Sequence, residues 1–226
     1  MDRFVTVSLA AAALLTAPSV GYYLFSTRIT KKSRPLYKGL CSLFFLFLGV
    51  TALLRSSFSP PAFLLFAGVC FSFLGDVILD LDSPKGFLAG LVSFALGHLA
   101  FAAGFFLTSL TRAAGEGLTR EGPLLFAAAA LVMALLFPLL KLSPPKELRI
   151  PVAGYLVLLA LTFALSFPAG KALSSLLPPV GASLFAFSDA ALAAGLFGKS
   201  SKLKDFLCLF TYYPAMLLFA AAISLL

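Results

Sequence analysis

The stretch FSFLGDVILD, Phe71 to Asp80, reads as part of a membrane-spanning helix, yet it carries two carboxylates one helical turn apart. Its apolar residues fall on every side instead of at alternate positions, so the dyad pattern of a membrane β-strand is absent. The same character extends in both directions along the chain. Of 226 residues, 61% are hydrophobic and 12% charged, too little polar surface to coat a soluble globule of this size. Eight apolar runs follow one another, at 4–26, 37–54, 61–80, 86–109, 122–140, 148–168, 176–197 and 205–226. At about 1.5 Å of rise per residue, runs of this length match a hydrocarbon core of about 30 Å. The expected fold is all-α: a polytopic integral membrane protein with about eight transmembrane helices in one bundle. No connection is long enough for a second domain, so residues 1–226 form a single transmembrane domain.

The net charge of +8 does not point to nucleic acid, because the basic residues gather in the gaps between apolar runs. Gaps one, three, five and seven hold Arg28, Lys31, Lys32, Arg34, Lys38, Lys85, Lys141, Lys146, Arg149, Lys199, Lys202 and Lys204. The other side has Arg3, Arg55, Arg112, Arg120 and Lys171. This bias puts the odd gaps in the cytoplasm and both termini outside, in what is expected to be the inner membrane of a bacterium. The first run could be a cleaved signal peptide. It continues to Phe25, however, and a basic cluster follows at once, as expected for a retained helix.

An ionisable side chain inside the hydrocarbon costs about 3 kcal/mol or more, so each one needs a partner or a use. Asp76 lies one turn from the cytoplasmic end of its run, and Asp189 lies about 12 Å in from the end of its own. Lys38, Arg149, Tyr155, Tyr212 and Tyr213 fall in the same half of the membrane. Taken alone, Asp76 reads equally well as a structural carboxylate paired with Lys38 or another cation. Asp80 and Asp82 read as interfacial, His98 as a hydrogen-bonded core histidine, and Tyr212 and Tyr213 as an aromatic belt. Asp189, preceded by Ser188, has no cation nearby in sequence. Two carboxyl groups at similar depth in a low-dielectric site can divide the roles of acid and base. That equipment suits hydrolysis, and it also suits proton-coupled transport.

Other chemistries fit poorly. Cys41, Cys70 and Cys208 lack a CxxC-type partner and read as buried thiols. One histidine without HxxxH or HxxE spacing gives no metal site. Nucleophile-elbow, Walker and dinucleotide patterns are absent, so no cofactor is expected. FSFLGD and FAFSD form a faint internal echo, for which chance similarity in a Phe- and Ala-rich chain is the simpler account. A duplicated four-helix architecture with a site between its halves would give the same pattern.

The segment GDVILDLDSPKGFLAGLVSFALGHLAFAAGF, 75–105, closely resembles the central signature of the YhhN family of lysoplasmalogenases: a Gly-Asp pair closing one membrane helix, then F..G...F..GH on the next. FAFSDAALAAGLF is similar to that family's Ser-Asp signature, RIPVAGY to its Pro and Tyr segment, and YYPAMLLFA to its last-helix tyrosine motif. The resemblance runs through nearly the whole chain. It departs at Lys38, where Lys-Gly-Leu replaces the usual Lys-Pro-Leu, and at Met216, where the family often has Gln.

The resemblance implies a membrane hydrolase that cleaves the vinyl ether bond of lysoplasmalogens to a fatty aldehyde and glycerophosphoethanolamine or glycerophosphocholine. Its signature aspartates map onto Asp76 and Asp189. On this reading His98, Tyr155, Tyr212 and Tyr213 orient water or glycerol hydroxyls beside Ser188, and Lys38 and Arg149 attract the phosphate. The partner is then a lysophospholipid entering from the membrane. The alternative is a proton-coupled transporter using the same aspartates. Against it, the outer half of nearly every run is apolar, with only His98 near mid-depth.

Overall fold

The structure, a computed structural model, describes residues 3–26, 28–56, 58–81, 83–112, 124, 127, 128, 143–198 and 201–226. Among them are seven long helices: α1 (Arg3–Phe25), α2 (Arg34–Leu53), α3 (Pro60–Leu79), α4 (Pro84–Arg112), α5 (Arg149–Ala172), α6 (Leu177–Leu196) and α7 (Lys202–Ala222). Single 3-10 turns stand at Lys146–Leu148 and Ile223–Leu225, and the described residues contain no strand. All seven long helices are long and apolar enough to cross a membrane. The bundle is that of an integral membrane protein, and the seven agree with the expected runs to within a few residues.

The expected fifth run, 122–140, lies almost wholly outside the described residues, as do Asp82, Arg120, Lys141 and Lys199. Arg112 Nη2 donates to the Leu226 carbonyl at 2.5 Å, and Ser143 N donates to the Phe197 carbonyl at 3.4 Å. Because α7 runs from the Phe197 end of the bundle to the Leu226 end, Arg112 and Ser143 lie at opposite ends.

Prolines and serines set the helix starts. Prolines occupy the first turn of α2, α3 and α6, where a missing N–H costs no intrahelical bond. Ser59 and Ser201 cap α3 and α7 by accepting from Ala62 N and Lys204 N. Consecutive helices pack as neighbours, α4 sits against α5, and α7 fills the middle, touching α1, α2, α3 and α6.

Small residues bring α3 and α4 together as an antiparallel pair. Gly68 and Gly75 on α3 alternate with Gly90, Gly97 and Gly104 on α4, seven residues apart along each helix. A Cβ on Gly68 would come within 2.5 Å of the Phe101 ring, and one on Gly90 within 2.8 Å of Leu79 Cα. This contact fixes the rotation of α3, and with it the direction of Asp76. Around it Phe101, Phe105, Phe185 and Phe219 pack ring to ring, Phe101 and Phe219 with centroids 4.6 Å apart. α1 lies at the edge against α2 and α7, with most of its surface exposed.

Candidate active site

Asp76, in the last turns of α3, is 1% exposed. Its Oδ1 lies 3.5 Å from Lys38 Nζ, and its Oδ2 accepts hydrogen bonds from Ser42 Oγ at 2.5 Å and from the Tyr212 hydroxyl at 2.8 Å. Lys38 and Ser42 are one turn apart on α2, so they present both groups to the same carboxylate. The Tyr213 hydroxyl stands 3.4 Å from Ser42 Oγ and 3.5 Å from the Lys38 carbonyl, closing that side. The carboxylate charge is thus met by one ammonium and two hydroxyl donors, the arrangement a buried ion needs.

Asp189 on α6 is held differently. Its Oδ2 accepts from the Tyr155 hydroxyl at 2.6 Å and lies 3.7 Å from His98 Nε2. His98, 1% exposed in the middle of α4, also places Nε2 3.2 Å from the Tyr155 oxygen and Nδ1 3.2 Å from Thr162 Oγ1. The hydroxyl of Thr162 has backbone carbonyls to donate to, His98 O at 3.0 Å and Leu158 O at 2.9 Å. Its oxygen therefore turns a lone pair to the ring, and this network assigns the proton to Nδ1. Nε2 and the carboxylate are left facing the single Tyr155 hydrogen.

Phe185 links the two groups: its ring centroid lies 4.6 Å from that of His98 and 5.5 Å from that of Tyr212. Their surroundings differ. Asp189 and Tyr155 line a narrow apolar cleft of about 60 Å³ between α3, α4, α5 and α6. Beside it lies a polar cavity of about 350 Å³ lined by Tyr23, Arg34, Lys38, Asp80 and Asp205. Leu79, Phe87, Leu192 and Leu196 line both spaces. Asp76 lines neither.

The model of the YhhN family matches residues 33–223. The chain belongs to the YhhN family. No curated protein and no solved structure matches it. The matched region of this YhhN chain takes in α2 through α7, and so both carboxylate groups, while α1 lies before it.

The structure brings Lys38, Asp76, Tyr212 and Tyr213 into one group and His98, Tyr155 and Asp189 into another. Ser188 faces away from Asp189 towards α7, with Oγ 3.5 Å from Cys208 Sγ. Arg149 is exposed at the start of α5, with Nε 3.5 Å from the Pro144 carbonyl, and lines neither cavity. Sequence reasoning missed Ser42 and Thr162, although each repeats a helical spacing: four residues after Lys38 and seven after Tyr155. It also left Asp80 at the interface. In this YhhN bundle Asp80 accepts from the Tyr23 hydroxyl at 2.5 Å, while Arg34 Nη2 donates to the same tyrosine oxygen at 2.8 Å. Among the described residues no buried side-chain polar atom lacks a partner.

Proposed function

We propose that this chain hydrolyses the vinyl ether bond of a lysoplasmalogen, an alkenyl glycerophosphoethanolamine or glycerophosphocholine, to a fatty aldehyde and the glycerophospho-alcohol. The observation that carries the reading is Asp189. It is a carboxyl group on a membrane helix, open to an apolar cleft and bonded to a tyrosine that also meets a buried histidine. The partner is a single-chain lysophospholipid drawn from the membrane. With the basic residues in the cytoplasm, the site lies in the cytoplasmic half and both termini lie outside.

Hydrolysis of a vinyl ether is limited by proton transfer to the alkene carbon not bonded to oxygen. In the proposed path Asp189, as the acid, gives its proton to that carbon, and the electron pair of the double bond forms the new C–H bond. The ether oxygen then shares a lone pair with the neighbouring carbon, and an oxocarbenium ion results. The Asp189 carboxylate stabilises this cation and takes a proton from the water that attacks it, which restores the acid. The hemiacetal collapses as its hydroxyl proton passes to the departing glycerol oxygen. Tyr155, bonded to Asp189 and facing His98, holds the carboxyl group in place through both proton transfers. Asp76 lines neither cavity, and on this reading its part is to fix Lys38 and Tyr212.

The test is aldehyde release from lysoplasmenylethanolamine by the purified, detergent-solubilised protein. The wild type is expected to release aldehyde and to leave the 1-alkyl analogue, which lacks the double bond, intact. Cleavage of an ester lysolipid with no aldehyde from the alkenyl lipid would replace the proposed bond with another. A folded wild type inert to both would end the hydrolase reading.

A further inference from the structure

We infer that the polar cavity beside the Asp189 cleft is a phosphoethanolamine subsite, with Lys38 and Arg34 taking the phosphate and Asp205 taking the primary ammonium. The inference rests on the hydrolase reading for what lies beyond the headgroup, and on the cavity itself for the rest.

The cavity holds about 350 Å³ and carries charge of both signs, Arg34 and Lys38 against Asp80 and Asp205. A purely anionic ligand would leave the acidic side unmatched, and a cation would leave the basic side so. A zwitterion satisfies both. Lys38 is 7% exposed, lines the cavity and pairs with Asp76, which does not line it. An ammonium has three donors, and the contact with Asp76 accounts for one. Arg34 stands above it with half its side chain exposed. The two cations suit a phosphate diester at the inner end of the cavity.

The acidic groups divide by what they already hold. Asp80 accepts from Tyr23 and lies 3.5 Å from Arg34 Nε, so it is engaged within the wall. Asp205 is exposed in the first turn of α7, at the rim. A primary ammonium offers N–H donors to such a carboxylate. A trimethylammonium offers none and is instead bound against aromatic faces. The rings here are Tyr23 and Phe87, and the face of Tyr23 is covered by Arg34, whose Cζ lies 5.3 Å from the ring centroid. The chemistry therefore favours ethanolamine over choline. The four apolar residues shared with the Asp189 cleft give the direction of the rest of the molecule: a headgroup in the cavity runs its chain past the acid.

The experiment measures binding of 1-alkyl lysophosphoethanolamine and 1-alkyl lysophosphocholine, which have no vinyl ether to cleave, to the full chain in detergent. The ethanolamine lipid is expected to bind about tenfold more tightly, the effect of one charge-assisted hydrogen bond. Asp205→Asn should weaken the ethanolamine lipid about tenfold more than the choline lipid and so abolish that preference, and Asp205→Glu should keep it. Equal affinity in the wild type, or equal weakening of both lipids by Asp205→Asn, overturns the assignment. Competition by tail-free glycerophosphoethanolamine as strong as that by the lysolipid would make this a site for a soluble phosphodiester and overturn the lipid reading. Aldehyde release in the same preparation reports separately: a headgroup preference without aldehyde keeps the subsite and removes the proposed chemistry.

Discussion

Asp76 and Asp189 stand in the last turns of α3 and in the second half of α6, but one carboxylate faces a lysine ammonium and the other a tyrosine hydroxyl and a histidine ring. Each accepts a hydroxyl from a residue 34 positions earlier, Ser42 for Asp76 and Tyr155 for Asp189. Each is also met by a group 22 or 23 positions after the other carboxylate: His98 follows Asp76 and reaches Asp189, and Tyr212 follows Asp189 and reaches Asp76. The echo between FSFLGD and FAFSD thus extends to the contacts. The difference lies in the counter-charge. Lys38 is tethered to α2 and cannot be given away, whereas on the proposed reading Asp189 gives up a proton and recovers it from water. A carboxylate that lines no cavity and holds a fixed cation suits architecture, and one that opens on a cleft suits the proposed catalysis.

The sharpest way to break this comparison is to remove one carboxylate charge at a time. Asp189→Asn is expected to lower aldehyde release by about a thousandfold, the range of a lost general acid, with the unfolding midpoint in detergent unchanged. Asp76→Asn should show its effect first in stability. It leaves the Lys38 ammonium buried without its carboxylate, and breaking a buried pair in this way costs about 3–5 kcal/mol. Adding Lys38→Met to Asp76→Asn removes the stranded charge and should recover most of that loss. If Asp76→Asn unfolded normally and lost as much activity as Asp189→Asn, the two sites would have to be joined in one mechanism. Tyr155→Phe comes next. It preserves the ring and removes only the hydroxyl that connects Asp189 to His98, so turnover should fall about ten- to hundredfold with little change in KM.

How far the sequence carries this picture follows from what it encodes. Helix positions were legible because hydropathy is a property of consecutive residues, and the starts of α3 and α6 were marked by their prolines. The pairing of Asp76 with Lys38 was one of the readings open to the sequence, since both lie near the same end of their helices. Which helix meets which across the bundle was not legible. The approach of Tyr212 to Asp76, or of His98 to Asp189, depends on the lateral order of helices, and an apolar surface on all sides does not state that order. One lateral signal was present and went unread: glycines at 68 and 75, and at 90, 97 and 104, repeat every seven residues and mark the faces along which α3 and α4 meet. The division between a sealed and an open carboxylate had no sequence signal at all, because it comes from where the packing leaves space.

The smallest expected effect tests the cations. Both Lys38 and Arg149 carry the charge expected to attract a phosphate, but Lys38 lines the polar cavity while Arg149 is exposed at the start of α5 beside the Pro144 carbonyl. A cation in open water is screened within about 8 Å at physiological salt, whereas one in a cavity floor acts with little screening. Arg149→Ala should therefore change KM for lysoplasmenylethanolamine by less than about twofold, and raising the salt should remove even that. Lys38→Met, read beside Asp76→Asn in the same background so that no carboxylate is stranded, should raise KM well beyond this. A larger effect from Arg149 than from Lys38 would move the headgroup to the mouth of α5, and the Asp189 cleft would then have to be entered from the other side.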